Sequence, residues 1–339
     1  MLEDLKKISE DFVKYYSNYK KISYEISSFE RIFGGASRET YKVELSSKST
    51  KEKLIYRRTQ QSSLIETEQI TEYLAFKAFE DSIVPVPRIH LIEEDEGVLG
   101  APFIILEQLD GEAASPFQEK IYSPNEKALG MQFWTFLGEI TKFDIKSSNL
   151  NQLIKHSKDP YWKQELDKWV KVIREDSIGV EPILEVGIRD LYRTPPNNNQ
   201  EACLVHGDYR NGNFLFKGDT ITGILDWEMA HIGDPLEDLS WALSPIWCWK
   251  EQSRPGYLID RAQALEIWKK TSGLEIDPNS LSWWELFSCI KGLAIWISAG
   301  NEFITQKNND PINLFSAWIP GDIHLEIILE KIEKRWKLL

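Results

Sequence analysis

The sequence predicts an α+β fold in which a small, sheet-rich lobe precedes a larger, mostly helical lobe. Strand-like runs dominate the chain up to residue 107, whereas apolar residues at helical spacing dominate the rest of the chain. The one strand-like interruption of the second part, residues 203–226, carries a cluster of polar motifs. A turn begins at Leu109, so we predict an N-lobe of residues 1–108 and a C-lobe of residues 109–339.

The N-lobe is predicted to begin with a helix over residues 2–19, where Leu5, Ile8 and Phe12 share one face. Three strand-like runs and a second helical pattern come next, until Pro85 and Pro87 interrupt it. Two more strands complete a small sheet. The predicted strands cover residues 24–33, 40–45, 54–57, 88–93 and 103–107, and the second helix covers residues 66–79.

The C-lobe is predicted to be helical outside residues 203–226. Its predicted helices cover residues 126–143, 161–174, 181–192, 236–243, 258–270, 283–303 and 323–336. Nine of the thirteen Trp residues lie after Ser240. We interpret most of them as the core of this helical part, and a few as available to line a substrate pocket.

The composition excludes several classes of protein. A formal net charge of −13 argues against a nucleic-acid partner, which would require a basic surface. Apolar runs are too short to cross a bilayer, and the first residues mix acids and bases without the apolar centre of a signal peptide. Three widely spaced cysteines form neither a disulfide framework nor a metal motif. We therefore expect a cytoplasmic protein without a membrane partner.

The chemistry is concentrated in residues 204–241. Asp208 comes after the apolar run that ends at Val205, Asn213 lies five positions later, and Asp226 ends a further apolar run. The D-x4-N spacing matches the catalytic loop of protein kinases, in which a carboxylate orients the attacking hydroxyl. The amide oxygen of Asn213 and the carboxylate of Asp226 are ligands that suit Mg²⁺. We predict Asp208 as catalytic and Asn213 and Asp226 as metal ligands.

The neighbours of these residues have predicted supporting roles. Arg210 either contacts the transferred phosphate or forms a structural salt bridge. His206 is expected to orient the loop, and His231 to be structural. Asp234 before a proline suits a helix N-cap, and Asp238 on that helix could brace the catalytic loop. Either aspartate could instead face a cationic substrate.

The N-lobe offers candidate contacts to nucleotide phosphates. Gly35 and Ser37, between two predicted strands, could present backbone N–H groups and a hydroxyl to the phosphates. Arg57 on the third strand occupies the position where kinases place the Lys that holds the α- and β-phosphates. Glu72 on the next helix is its predicted partner, with Glu68 as the alternative.

The adenine base is expected at the connection between the lobes. The segment from Glu107 to Leu109 is the predicted hinge. Because backbone groups would bind the base there, the identity of these side chains carries little information.

Taken together, these motifs resemble the aminoglycoside phosphotransferase family, also called choline/aminoglycoside kinase-like. The resemblance is carried by VHGDYRNGNFLF, ILDWEMAHIGDPLEDLSW, FGGASRETYKV and LGAPFIILEQLDGE. It is strongest towards the branch with kinase-like domains fused to acyl-CoA dehydrogenases. It implies a protein-kinase-like bilobal fold, ATP or GTP as donor, Mg²⁺, and a small-molecule hydroxyl acceptor. Arg57 departs from the family's usual Lys, which puts nucleotide affinity in question.

Two functions are compatible with the sequence. The first is a small-molecule kinase whose acceptor is a hydroxyacyl compound, favoured by the Trp-rich C-terminal half, or an aminoglycoside-like amino alcohol, favoured by the acidic charge. The second is a catalytically silent nucleotide-binding or scaffold protein that keeps the fold, which the unusual Arg57 suggests. Silent kinases commonly lack one of the two carboxylates or the Asn, and this chain has all three.

Overall fold

A five-stranded antiparallel sheet and two long helices form the N-terminal part of the chain. The computed structural model describes residues 2–32, 38–59, 69–115, 118, 120–146, 148–154, 157–177, 179–197, 200–308 and 310–338. The elements of the N-terminal part are α1 (Leu2–Lys20), β1 (Glu25–Ile32), β2 (Arg38–Ser46), β3 (Lys51–Thr59), α2 (Gln69–Phe79), β4 (Ile89–Glu93), α3 (Glu96–Leu99) and β5 (Phe103–Glu107). The strand order is β1-β2-β3-β5-β4.

The two faces of this sheet pack against different cores because strand side chains alternate. In β5, Phe103 and Ile105 join the aromatic cluster beneath α1, whereas Ile104 and Leu106 join the main core of the protein. In β3, Tyr56 likewise belongs to the α1 cluster. Arg57, the next residue, therefore lies on the opposite face, towards α2 and the helical part.

Helices dominate the C-terminal part, and three short strand pairings interrupt them. The elements are β6 (Glu112–Ala113), α4 (Glu126–Thr141), α5 (Tyr161–Asp176), α6 (Pro182–Arg193), β7 (Cys203–Val205), β8 (Phe214–Lys217), β9 (Thr220–Ile224), β10 (His231–Gly233), α7 (Pro235–Ala242), α8 (Arg261–Ser272), α9 (Pro278–Ile304) and α10 (Pro311–Leu338). The sheets are β6-β8-β9 and β10-β7. Helix α9 contacts α5, α6, α7 and α10, so it forms the centre of this part.

The observed architecture confirms the predicted α+β fold with a sheet-rich N-terminal and a helical C-terminal region. The boundary between residues 108 and 109 stays a prediction. None of the helices in the described ranges combines the length and apolar content that crossing a bilayer requires.

Two details of the C-terminal prediction were wrong. Residues 203–226 are not the only strand-like stretch, because β10 pairs with β7 and β6 pairs with β8. Strands of two or three residues are too short to produce a period-two pattern. Helix α10 begins at Pro311 and passes through Pro320, whereas the sequence predicted a start at residue 323. A proline usually ends a helix, but packing along α9 keeps this one continuous.

The packing of α1 on the sheet leads to a prediction about stability. Phe12 is fully buried, with its ring centroid 4.7 Å from that of Tyr56 and 5.8 Å from that of Tyr16. We expect Phe12→Ala to lower the free energy of unfolding by about 3–5 kcal/mol in urea denaturation, because it leaves a cavity between helix and sheet. The control Lys14→Ala, an exposed site on the same helix, should stay within about 0.5 kcal/mol of the parent. A loss below about 1 kcal/mol for Phe12→Ala would show that α1 contributes little to the sheet.

Candidate active site

The loop after β7 is shaped by a glycine that cannot be replaced. Gly207 has φ +85°, a conformation that L side chains rarely adopt. A Cβ at this position would lie 2.3 Å from the carbonyl oxygen of Met229. The close approach of these two segments therefore requires glycine, and it fixes the direction in which Asp208 leaves the strand.

The backbone of this loop is held from both sides by buried charges. Asp238, on α7, accepts hydrogen bonds from the N–H groups of His206 at 2.5 Å and Gly207 at 2.9 Å. Lys291, on α9, donates to the carbonyl oxygen of Gly207 at 2.7 Å. Asp234 caps α7 by accepting from the N–H of Leu236 at 2.9 Å. The predicted bracing and capping roles of the two aspartates are both confirmed.

His206 orients the loop as a neutral, buried side chain. Its Nε2 lies 2.9 Å from the carbonyl oxygen of Leu225, and its Nδ1 accepts a hydrogen bond from the N–H of Asp208 at 3.2 Å. This pair of contacts assigns the proton to Nε2. Burial lowers the pKa of His206, which is consistent with the neutral form. The orienting role predicted for it is therefore supported by its contacts.

Three donors surround the carboxylate of Asp208. Trp241 donates its indole N–H to Oδ1 at 2.7 Å, and Asn213 donates its amide Nδ2 to Oδ2 at 2.6 Å. The Nε of Arg210 lies 3.1 and 3.2 Å from the two oxygens. Arg210 thus forms the salt bridge that was one of its two predicted roles. The guanidinium also lies over the ring of Trp247, 4.7 Å from its centroid.

Asn213 and Asp226 lie at the same end of the β8–β9 hairpin. The N–H of Leu225 donates to the carbonyl oxygen of Asn213 at 2.8 Å, one position beyond the paired residues Phe214 and Ile224. Asp226 is the next residue, in a left-handed conformation with φ 66°. The structure thus brings Asp208, Asn213 and Asp226 into one group.

The oxygens of this group fit a magnesium ion. The amide nitrogen of Asn213 faces Asp208, and no described residue donates to its Oδ1. Oδ1 of Asp226 accepts from Arg57 at 3.2 Å, and the side chain remains one-third exposed. A neutral amide oxygen beside a carboxylate is the hard donor set that Mg²⁺ prefers.

Arg57 connects the N-terminal sheet to this group. Its guanidinium donates to Glu72 on α2 and to Asp226, and lies 3.8 Å from Glu228. Burial lowers the pKa of Arg57, but the three carboxylates, Glu72 foremost, outweigh burial and raise it. Glu72 is the partner that the sequence predicted; the alternative, Glu68, lies outside the described residues.

A second arginine of this cluster escaped the sequence analysis. Nε of Arg38 lies 3.4 Å from Glu72 and 3.8 Å from Glu228, and its side chain is almost fully buried. Arg38 comes directly after the glycine-rich segment, and Glu228 lies two positions after Asp226, so proximity to the motifs was the only available signal. Gly35 and Ser37 lie outside the described residues, so their phosphate-binding role stays a prediction.

The predicted hinge joins the sheet to the β8–β9 hairpin. The N–H of Glu107 donates to the carbonyl oxygen of Arg88 at 2.8 Å, and the N–H of Gln108 donates to the carbonyl oxygen of Lys53 at 3.1 Å. A Cβ on Gly223 would lie 2.3 Å from Cδ1 of Leu109, so Leu109 packs closely against β9. The hinge is therefore fixed to both parts, and its contact with a base stays a prediction.

An ion-pair network lies behind the loop that carries Asp208. Nε2 of His231 lies 3.1 Å from Glu237 and 3.7 Å from Glu165. Glu237 also accepts from Lys291 at 3.0 Å, and Glu165 pairs with Lys168 at 3.2 Å. This histidine and its two carboxylates have the side-chain types of a metal site, but cations of the chain already neutralise them. His231 is thus a satisfied structural histidine, as the sequence predicted.

The chain belongs to the phosphotransferase family. The profile of the Phosphotransferase enzyme family, APH, matches residues 28–275. Acyl-CoA dehydrogenase family member 11 of Rattus norvegicus is 26% identical over 225 residues, which are 62% of this chain and 28% of that protein. The chain therefore spans under a third of that relative's length. The predicted family resemblance is confirmed.

Solved structures share the fold. An aminoglycoside phosphotransferase structure from Ralstonia eutropha JMP134 superposes with a TM-score of 0.77 at 18% identity, covering 96% of this chain and 98% of the other. The streptomycin-ATP ternary complex of APH(2")-IIa superposes with a TM-score of 0.58 at 17% identity, covering 90% and 97%. The protein thus has the aminoglycoside-kinase fold, which confirms the predicted protein-kinase-like architecture.

The network around His231 predicts a pH-dependent stability. Burial lowers the pKa of His231, but Glu165 and Glu237 outweigh burial and raise it. The resulting stabilisation is complete below the unfolded pKa of about 6.5 and is lost as the pH rises through the folded value. We therefore expect His231→Gln to lower the free energy of unfolding more at about pH 5.5 than at about pH 9 in urea titrations.

A matched histidine should show the opposite trend. Burial lowers the pKa of His90, so protonation of this residue opposes folding at acid pH. Relative to the parent, the free energy of unfolding of the control His90→Gln should be higher at about pH 5.5 than at about pH 9. If both variants changed stability equally at the two pH values, the assigned charge on His231 would be wrong.

Proposed function

We propose that this phosphotransferase is a small-molecule kinase that transfers the γ-phosphate of Mg²⁺-ATP or Mg²⁺-GTP to a hydroxyl group. One observation carries the proposal: Asp208, Asn213 and Asp226 lie in one group, and Arg57 extends to that group from the sheet. This is the set that phosphoryl transfer requires, because its catalysis consists largely of positioning and charge stabilisation.

Each residue of the group has a proposed task. Asp208 accepts a hydrogen bond from the acceptor hydroxyl and aligns it for in-line attack. The amide oxygen of Asn213 and the carboxylate of Asp226 would hold Mg²⁺, which when bound would supply positive charge to the phosphates. The hydroxyl oxygen would bond to the γ-phosphorus as the bond from that phosphorus to the β–γ bridging oxygen breaks, ADP or GDP would leave, and the hydroxyl proton would pass towards the carboxylate of Asp208. His206 takes no part in proton transfer, because both its ring nitrogens are engaged in orienting the loop.

The cations of the site are proposed to bind phosphate oxygens. Arg57 would hold the α- and β-phosphates in place of the usual Lys, with Glu72 fixing its orientation. Arg210 would contact the transferred phosphoryl group, because its guanidinium can donate two parallel hydrogen bonds. The backbone around Gly35, together with the Ser37 hydroxyl, is proposed to cover the phosphates.

The nucleotide base is proposed to bind at the hinge. The backbone of Glu107 and Leu109 would bond the base, and no described residue accepts a hydrogen bond from the N–H of Leu109. Backbone recognition of this kind leaves ATP and GTP both acceptable as donors. The three cysteines are free and buried, which suits the cytoplasmic location that we propose.

The acceptor is proposed to bind beside Asp208 on the helical side. Trp241, Ile246 and Trp247 form a cluster there, and Trp249 and Trp296 pack against it. The first three of these side chains are buried, but Trp249 and Trp296 are partly exposed, and their rings favour an acceptor with apolar parts, such as a hydroxyacyl compound. The net charge of −13 supports the other candidate, an aminoglycoside-like amino alcohol, more weakly, since such a balance also serves solubility. Screening hydroxylated metabolites for phosphate transfer separates the two.

The second candidate function is a catalytically silent nucleotide-binding or scaffold protein, and Arg57 is the residue that supports it. Arg57 stands where kinases usually have Lys, and it already occupies the candidate metal ligand Asp226, which such a silent protein would tolerate. The two functions differ in one measurable property: a scaffold hydrolyses no nucleotide above the background of a metal-ligand variant.

The role of Asp208 is tested by replacing its charge. We expect Asp208→Asn to lower kcat by at least about 100-fold while the KM for ATP changes less than about threefold, because the carboxylate acts on the acceptor. The measurement is Mg²⁺-dependent phosphate release, or transfer to an acceptor that the screen finds. Asp226→Asn is the matched comparison, since it should also weaken Mg²⁺ dependence. Unchanged turnover in Asp208→Asn would disprove the assigned role.

The role of Arg57 is tested against its neighbour on the same strand. We expect Arg57→Met to raise the KM for ATP by about tenfold or more, and Arg57→Lys to raise it less, because Lys keeps the charge but not the fork of donors. Arg58, on the opposite face of β3, pairs with Glu39 at 3.7 Å. Arg58→Met should leave the KM for ATP unchanged. Equal effects at both positions would mean that Arg57 stabilises the lobe without binding phosphate.

A further inference from the structure

We propose that Trp241 is a positioning residue for Asp208, acting through the hydrogen bond that its indole N–H donates to the carboxylate. This inference rests on the proposed kinase function. The N–H group of Trp241 lies 2.7 Å from Oδ1 of Asp208, a short distance for an N–H donor and typical of a charged acceptor. Trp241 comes from α7, 33 residues further along the chain.

The indole cannot move away from the carboxylate. Trp241 is only 2% exposed, and the ring of Trp247 meets it edge-on with centroids 5.2 Å apart. Trp247 also donates its own indole N–H to the carbonyl oxygen of Trp241 at 3.0 Å. The helix that carries Trp241 is the one whose Asp238 holds the loop backbone. Helix α7 therefore holds both the donor, Trp241, and the loop that carries the acceptor, Asp208.

A buried cation strengthens this donor. The ammonium group of Lys291 lies 5.0 Å from the centroid of the Trp241 ring and is itself almost fully buried. A cation over an indole face draws electron density from the ring, which makes the ring N–H more positive. Two attractive contacts thus follow one another: the cation–π contact of Lys291 with the indole of Trp241, and the hydrogen bond from that indole to Asp208.

The three side chains that donate to Asp208 differ in how deeply they are buried. Trp241 binds Oδ1 and Asn213 binds Oδ2, and both side chains are buried, whereas the side chain of Arg210 is 23% exposed. Two carboxylate oxygens offer about four acceptor positions, and these donors occupy most of them. An incoming hydroxyl therefore displaces Arg210 most easily. Trp241 and Asn213 keep the plane of the carboxylate fixed when that exchange occurs.

The arrangement explains why tryptophan is needed at this position. A phenylalanine would fill much of the same space, but it has no N–H to donate. Without that donor, Arg210 would be the only described side chain left on Oδ1, at 3.1 Å, and the carboxylate could rotate together with that more exposed side chain. We therefore expect loss of the indole N–H to lower the rate of the transfer step and to leave nucleotide binding unchanged.

The test compares Trp241→Phe with an isosteric replacement, in which position 241 carries the benzothiophene analogue of tryptophan. This analogue keeps the ring size and removes only the N–H. With Mg²⁺-ATP and water as the acceptor, both variants should lower kcat by about 10- to 100-fold, the effect expected for one hydrogen bond to a charged group. The KM for ATP should change less than about threefold. Trp134→Phe is the matched control, because Trp134 is fully buried and no described group accepts its indole N–H.

A second measurement does not depend on turnover. In ¹H–¹⁵N spectra the indole signal that Trp241→Phe removes is assigned to Trp241. This signal should move upfield in Asp208→Asn, because the charged acceptor is lost. An unmoved signal, or turnover by the isosteric variant within about twofold of the parent, would overturn the inference. If the parent protein hydrolyses no ATP while the signal moves, the proposed function fails and the hydrogen bond stands.

Discussion

The candidate site depends on one carboxylate that holds the backbone of the loop carrying Asp208. Asp238 accepts two successive N–H groups, those of His206 and Gly207, and it is almost fully buried. Burial raises the pKa of Asp238, so its charge is unfavourable unless hydrogen bonds and a nearby cation compensate. The two N–H groups supply those bonds, and Lys291 supplies positive charge from the other side of the loop. Asp208 is positioned as a consequence of this arrangement.

A second group of buried charges connects the sheet to the hairpin that carries the candidate metal ligands. Arg38 on β2 and Arg57 on β3 lie among three carboxylates from two other segments: Glu72 on α2, and Asp226 and Glu228 after β9. Removing Arg38 or Glu72, the two almost fully buried members, would leave an unpaired buried charge, which costs about 3–5 kcal/mol. The cluster therefore fixes the distance between the two parts of the protein, as the proposed phosphate-binding site between them requires. Arg57 joins the two parts directly, because it bonds Asp226.

Local sequence patterns predicted much of the fold for identifiable reasons. The apolar runs 54–56 and 103–106 predicted β3 and β5 as strands, and the alternation of side chains along any strand divides these residues between two cores. The N-cap at Asp234 was predictable from the proline after it. Two features were not predictable in this way. Strand β10 exists only because β7 lies beside it, and α10 continues through Pro320 because α9 packs along it.

The sequence by itself determined which chemical groups the site contains: the spacing of Asp208, Asn213 and Asp226 is a local property of one segment. The tertiary structure alone decided which side chains surround them. Trp241 contacts Asp208 from 33 residues away, and Lys291 contacts Gly207 from 84 residues away. No periodicity encodes such pairs, because a buried Trp or Lys has the same local pattern whether its polar atom meets a carboxylate or nothing. Only the packing of α7 and α9 against the loop makes that choice.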